Sequence, residues 1–386
     1  MPATVPRPAV HRQTVSRQTI DLSAYPDLVV IYLGLRVNTF TGLKTAFGLG
    51  PQIDASAAAK PDGLLLHERI FYSFYPANIG MRQYWRDMDS LGQAIRHVTR
   101  TDSSSLIDYA TPLGNATLRD QLQGRITQLG IHVDASQILI TNGASQALDM
   151  LMRYMLKAGD TVFVEDPGYY NLNGLMKLHG VRLVGIPRTR NGPDLDAMQA
   201  QLKEHRPRLF VINTVFHNPT GTTIAPPVAF RLLQLAREHH FTIIEDDIYA
   251  DFQSEPTDRL ATLDQLEHVV YVGGLSKTLS SSLRIGYLVA SPAIVKDLAD
   301  VKMLTSIGGS RFAEAVTVAL LERGMYRKHL ERLRRRMYDA LGQTVQTLEE
   351  SGWKCSKSRS AASSCGRACR MSTTPSGSSN AARRSA

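Results

Sequence analysis

Three short stretches carry residues able to do chemistry together: HNPTG (His217 to Gly221), EDDIY (Glu245 to Tyr249) and SK (Ser276 and Lys277). The first two directly follow apolar runs, LFVINTVF and FTII, and the third follows VVYVGG after one residue, Leu275. Asn218 and Asp246 lie 28 residues apart, and Asp246 and Lys277 lie 31 apart. Each gap suits one strand–helix–strand step of about 30 residues. In a sheet built from such steps the carboxyl ends of the strands share one edge, where ligands bind. An amide, a carboxylate and an amine would converge there.

Taken singly, each of these residues also has an ordinary structural explanation. Asn-Pro and Thr-Gly are turn signals. Asp246 could cap a helix, and Ser145 could be an early-helix residue. Tyr169 and Tyr170 could be half-buried aromatics at a strand end. Arg284 could be a solvated cation and Tyr109 a surface ring. A lone lysine is almost always on the surface. The ordered occurrence of all three stretches overturns these readings for Lys277, Asp246 and Asn218, and less firmly for Ser145 and Tyr249. Glu245 and Asp247 are read as structural neighbours.

The combined set suits pyridoxal phosphate. Its aldehyde needs an amine for a Schiff base, and a lysine with a depressed pKa serves. Its pyridine nitrogen needs an anion to stay protonated, the role of Asp246. Asn218 and Tyr249 can donate to the phenolate oxygen. The phosphate needs helix-start amides, hydroxyls and a cation. TNGASQALDML (Thr141 to Leu151) offers a strand end, a turn at Gly143, then Ala144 and Ser145 at a helix start. Ser276 and Arg284 complete the cup, and Tyr169 in EDPGYYN can stack on the ring.

The surrounding elements have the texture this requires. Strands are predicted at Ile138–Thr141, Thr161–Glu165, Arg182–Ile186, Leu209–Thr214, Thr242–Asp246, Val269–Gly273 and Ile285–Ala290. Several are continuous apolar runs, as in strands buried on both faces. Helical periodicity fills Ser145–Leu156, Leu195–His205 and Pro227–His239. The expected class is α/β, a mostly parallel sheet in a three-layer α/β/α arrangement. Three zones are expected: an α+β segment over 1–90, a large domain with the start of a small one over 91–353, and a disordered tail over 354–386. The tail is rich in Ser, Ala and Arg and nearly devoid of large apolar residues, too little to offset its ordering entropy.

Composition narrows the function classes. The chain has 386 residues, 43% hydrophobic and 20% charged, with net charge +9. Seven Lys/Arg and no Asp/Glu follow residue 353, which leaves +2 for the rest. A basic tail is a weaker nucleic-acid signal than a basic face on a folded domain, so no nucleic-acid partner is expected. The three cysteines, Cys355, Cys365 and Cys369, lie in the tail without paired spacing, which argues against zinc and against a disulfide framework. No apolar stretch reaches the ~18 residues of a membrane span, and the first residues lack an apolar signal core, so a cytoplasmic protein is expected.

Residues 91–350 resemble fold-type I, class I/II aminotransferases. They are most similar to the branch with 2-aminoadipate and kynurenine-type transaminases and the aminotransferase-like half of MocR regulators. The stretches carrying the resemblance are YATPLGNATLRDQL, TNGASQALDML, VEDPGYYN, HNPTG, EDDIYADF and GGLSKTLSSSLRIGYL. The resemblance implies transfer of an amino group from an amino acid to a 2-oxo acid. It also implies a homodimer, with Tyr109 reaching the phosphate of the partner subunit. Two departures from the pattern stand out. Residues 17–90 resemble part of a small family related to dimeric α/β-barrel monooxygenases, and no winged helix-turn-helix is seen. After GWKC the family's small domain, with its substrate-carboxylate arginine, gives way to the Ser/Ala/Arg tail. A shifted reading frame is the explanation offered for that change. The rival readings are a pyridoxal phosphate-binding regulator without turnover and a non-functional fusion product.

Overall fold

The structure is a computed structural model, described here for residues 86–218, 220–253, 257–350, 353–355 and 369–371. The segment expected over 1–90 therefore lies almost wholly outside the described residues. So does most of the tail, whose described part pairs β9 (Trp353–Cys355) antiparallel with β10 (Cys369–Met371).

Eight strands form the main sheet: β1 (Ile138–Asn142), β2 (Thr161–Asp166), β3 (Arg182–Thr189), β4 (Gly192–Pro193), β5 (Pro207–Ile212), β6 (Thr242–Asp246), β7 (Val269–Gly274) and β8 (Ile285–Val289). Their spatial order is β1-β8-β7-β6-β5-β2-β3-β4. The run β7, β6, β5, β2, β3 is parallel throughout. β8 runs antiparallel to both β1 and β7. All seven strands expected from the sequence are present, and the mostly parallel α/β class holds. The strand expected over Leu209–Thr214 starts earlier and stops at Ile212, because Asn213 leaves the ladder: its N–H donates to the Glu165 carboxylate and its side-chain amide to the Asp246 carbonyl.

Residues on the central strands alternate between two cores, as the period of a strand requires. Phe210, Ile212, Ile243, Val269 and Tyr271 join one apolar cluster. Leu209, Val211, Ile244, Val270 and Val272 join the other. Helices α1 (Met88–Thr101), α2 (Ala116–Thr127), α5 (Leu195–Glu204), α6 (Pro226–His239) and α9 (Arg311–Glu322) supply residues to the first cluster. Helices α3 (Ala144–Met155), α4 (Tyr170–Leu178) and α8 (Pro292–Ser306) supply the second. The sheet thus sits between two helical layers, and both its faces are apolar.

Local sequence explains the helix limits. Asn115 caps α2 through its side chain, which accepts from Leu118 N, and Leu118, Leu122 and Ile126 form the buried stripe one turn apart. Pro226 and Pro227 open α6, where their missing N–H groups cost nothing. The short α7 (Leu260–Asp264) is held by Glu245, whose carboxylate accepts from Leu260 N at 3.0 Å and Ala261 N at 2.8 Å. Asp247 is buried with Arg259 at 2.8 Å and accepts from the Tyr271 hydroxyl at 2.9 Å. Glu245 and Asp247 are thus structural neighbours, as read from sequence. The chain ends its main body in a long helix, α10 (Met325–Glu350).

Candidate active site

The three motifs sit where parallel strands deliver them. β5, β6 and β7 are adjacent and parallel, so the residues after Ile212, Asp246 itself and the loop after Gly274 share one edge of the sheet. β8 runs back, which places its first residue, next to Arg284, at that same edge. Ile285 pairs with Asn142, the last residue of β1. Gly143 and the start of α3 are brought there too.

Lys277 lies within electrostatic reach of Asp246, Arg284 and Arg86. Burial is the main cause that lowers its pKa, to about 8, while Asp246 opposes the shift. Burial likewise raises Asp246 to about 7, with further upward pushes from Asp247 and Glu165. Asp246 Oδ1 accepts weakly from Ile248 N at 3.3 Å. Burial thus draws both an amine and a carboxyl group that ordinarily titrate far apart toward neutral pH.

Asn218 is tied to the same centre by Asn213. The side-chain oxygen of Asn213 accepts from Asn218 N at 2.9 Å, and its amide donates to the Asp246 carbonyl. Beneath this lies a buried network. Glu165 pairs with Arg188, takes Asn213 N at 2.8 Å and faces His217 Nε2 at 3.2 Å. Arg188 also donates to Thr222 Oγ1 at 3.2 Å and to the Asn213 carbonyl at 3.2 Å. The HNPTG turn is therefore bolted to β2 and β3. Sequence reasoning missed Asn213, Arg188 and Arg86. Glu165 and His217 stood inside quoted motifs, but nothing local assigned them a role.

The residues expected to hold an anion come to the same edge of the sheet. Helix α3 starts at Ala144, one residue before the expected Ser145, and no side chain caps it. Its first amides are left for an outside partner. Gly143 has φ 78, and a Cβ there would lie 2.5 Å from Arg284 Nη2. Arg284 itself donates to the Asn142 carbonyl at 3.2 Å. The Ser276 hydroxyl is buried with no hydrogen-bond partner. A buried hydroxyl without a partner costs free energy that a ligand oxygen would recover.

Gly286 is equally constrained: a Cβ there would stand 2.3 Å from Gly143 C and 2.5 Å from Ala144 N. Gly286→Ala must push the α3 start off β8. Overpacking of this kind costs about 1–3 kcal/mol. The expected result is a thermal midpoint lower by roughly 2–4 °C per kcal/mol, together with weakened anion binding at the α3 start, read by calorimetry and phosphate titration.

Tyr169 lies at the start of α4, half-buried, its hydroxyl accepting from Asn171 at 2.9 Å. Tyr249, half-buried three residues past Asp246, stands 6.3 Å from the Phe252 ring. Tyr109 is 80% exposed, on the loop before α2.

The donor set fits pyridoxal phosphate: an amine beside a buried acid, with an uncapped helix start, an unpartnered hydroxyl and a guanidinium close by. Known proteins agree. The chain is 31% identical over 263 residues to an HTH-type transcriptional regulator of Bacillus subtilis, YisV, covering 68% of this chain and 54% of that protein. It is 31% identical over 253 residues to 2-aminoadipate transaminase of Thermus thermophilus, covering 64% and 62%. The chain therefore spans little more than half the length of these relatives. Among solved structures, LysN, the α-aminoadipate aminotransferase of Thermus thermophilus, complexed with N-(5'-phosphopyridoxyl)-L-leucine, superposes with TM-score 0.64 at 28% identity, over 71% of each chain. The order of the strands, the residues at their shared edge and a match of residues 82–369 to the family model "Aminotransferase class I and II" together place this chain in that family.

Proposed function

We propose that the protein is a pyridoxal phosphate-dependent aminotransferase that moves an amino group from an amino acid to a 2-oxo acid. The observation that carries this is the delivery of Lys277 and Asp246 to one sheet edge by the adjacent parallel strands β6 and β7, beside an uncapped helix start and the unpartnered Ser276 hydroxyl. When bound, pyridoxal phosphate supplies an aldehyde that condenses with amines and a ring that withdraws electrons from the substrate Cα.

The chain's own groups do the rest. Asp246 holds a proton at the ring nitrogen, and contact with that cation draws its pKa back down. Lys277, with its lowered pKa, offers a neutral amine near pH 8. That amine would hold the cofactor and would move the proton off and back onto the substrate Cα as general base and then acid. Asn218 and Tyr249 would donate to the cofactor's phenolate oxygen, and Tyr169 would pack on its ring. Ala144 N–H, Ser145, Ser276 and Arg284 would hold the phosphate.

Two copies of the chain are part of this reading, with Tyr109 serving the partner's phosphate. Its support is the apolar surface in that region. Ile107 and Tyr109 are 83% and 80% exposed, on the loop that packs at Ala110 against Gly308. Leu304, close to that glycine in sequence, is 87% exposed. No described helix is long and apolar enough to cross a membrane.

Titrating the purified protein with pyridoxal phosphate and then with a panel of amino acids tests the reading. The expected result is a lysine adduct band that changes with at least one amino acid. Borohydride followed by peptide mapping is expected to place the label on Lys277, and a label on any other lysine rejects the assignment. The regulator relatives favour one alternative, a cofactor-binding sensor without turnover. An adduct band that responds to no amino acid selects it.

A further inference from the structure

The loop that carries Lys277 is gripped from a helix far away in sequence. Thr278, the next residue, is fully buried. Its hydroxyl lies 2.5 Å from the Tyr326 hydroxyl, and its carbonyl lies 2.7 Å from His329 Nε2. Tyr326 and His329 are three residues apart on α10 and so share one helix face.

The proton positions follow from the acceptors. The Tyr326 hydroxyl is 2.6 Å from Asp251 Oδ2, and a carboxylate oxygen accepts, so the tyrosine's one proton goes to Asp251. Thr278 must then donate to Tyr326. The Thr278 carbonyl can only accept, so His329 Nε2 carries a proton and donates it. Asp251 also pairs with Arg125, and its carbonyl accepts from Arg334 at 2.8 Å. Arg125 stacks 4.9 Å above the Tyr326 ring. Asp251 lies two residues after Tyr249, so the same network holds the segment bearing that tyrosine.

We infer that Tyr326 and His329 are positioning residues for Lys277, holding Thr278 by both its hydroxyl and its carbonyl so that the half-buried lysine stays within electrostatic reach of Asp246. The inference rests on Lys277 being the reactive lysine, yet it concerns the apoprotein and is testable there. Helix α10 runs on from this grip toward the end of the main body. Any shift of that helix thus reaches the reactive amine through two hydrogen bonds.

The charged groups around His329 are Asp87, Arg332 and Arg86. Arg86 also donates to the carbonyls of Leu279 at 3.3 Å and Ser276 at 3.5 Å, so the loop is held from a second side. That second grip keeps the loop folded when the first is cut, which makes the substitution informative.

The test reads the titration of the Lys277 amine in apoprotein, by trace acetylation with acetic anhydride across pH and peptide mass spectrometry. Tyr326→Phe keeps the ring and removes the hydroxyl. His329→Leu removes the donor. His329→Gln retains an N–H that can reach a carbonyl. Released toward solvent from its half-buried position, Lys277 is expected to titrate about one unit higher in Tyr326→Phe and His329→Leu, toward the ordinary lysine value. His329→Gln is expected to stay near wild type. Circular dichroism and thermal melts run on each variant. If the midpoint stays put in both disrupting variants while only the melting temperature falls, the two residues are merely structural and the inference is overturned. A midpoint that moves equally in His329→Gln overturns the role of the His329 donor. The cofactor reading is decided separately, by the borohydride label, so the two can fail independently.

Discussion

Replacing Lys277 with alanine is expected to reduce amino transfer by about 10³-fold or more while leaving the fold intact. General acid–base catalysis alone contributes about 10²–10⁴-fold, and the substitution removes the covalent anchor as well. The fold survives because it penalises the protonated form of this lysine: burial lowers its pKa to about 8 from the ordinary 10.5. The sign follows directly. Below pH 8 the amine is protonated in both folded and unfolded chains, and the folded state bears the desolvation cost. Between about pH 8 and 10.5 the folded amine is neutral while the unfolded one is still charged, and the cost fades. Lys277→Ala is therefore expected to melt at the same temperature as wild type or higher at pH 7, and the difference is expected to shrink as pH rises through that window. Melts at several pH values, beside turnover with the best amino acid from the panel, check both halves. A variant that melts well below wild type at pH 7 would show that Lys277 holds the loop together.

Replacing Asp246 with asparagine is expected to weaken pyridoxal phosphate binding by roughly tenfold to a hundredfold. That corresponds to the ~1.5–3 kcal/mol of a hydrogen bond to a charged group. The amide keeps the shape of the carboxyl group and can still accept from Ile248 N, but it cannot hold a proton on a ring nitrogen as an anion does. The rate should fall further than the affinity, because electron withdrawal by the ring depends on that proton. A second effect appears without the cofactor. Asp246 raises the Lys277 pKa by its charge, against burial and against Arg284 and Arg86. In Asp246→Asn the lysine is thus expected to titrate below 8, the opposite direction from the Tyr326 and His329 variants. The same acetylation experiment measures it. An upward or null shift would mean that the carboxyl group is not charged beside the amine in the free protein.

The class of the fold, and the shared edge on which the candidate site residues lie, were legible in the chain. Apolar runs of strand length, helical periodicity between them and reactive residues just past the strand ends placed Asn218, Asp246 and Lys277 on one edge. This worked because each signal is local: a turn, a cap or an apolar run is encoded within about ten residues. The reversal of β8 was legible too and went unread. Only ten residues separate Gly274 from Ile285, too few for the crossover that a parallel neighbour needs.

What tertiary structure alone decided is the support behind those residues. Asn213 bridges the Asn218 and Asp246 segments, Glu165 and Arg188 brace the turn from two other strands, and Tyr326 and His329 reach Thr278 from about fifty residues downstream. Each is an unremarkable residue type in its own stretch. Their roles come from which strands lie side by side and which helix face meets which loop. That pairing is set by the burial of two whole apolar faces, so no short stretch of sequence states it. The lowered pKa of Lys277 belongs to the same class, since it arises from burial and from charges brought to it by three separate parts of the chain.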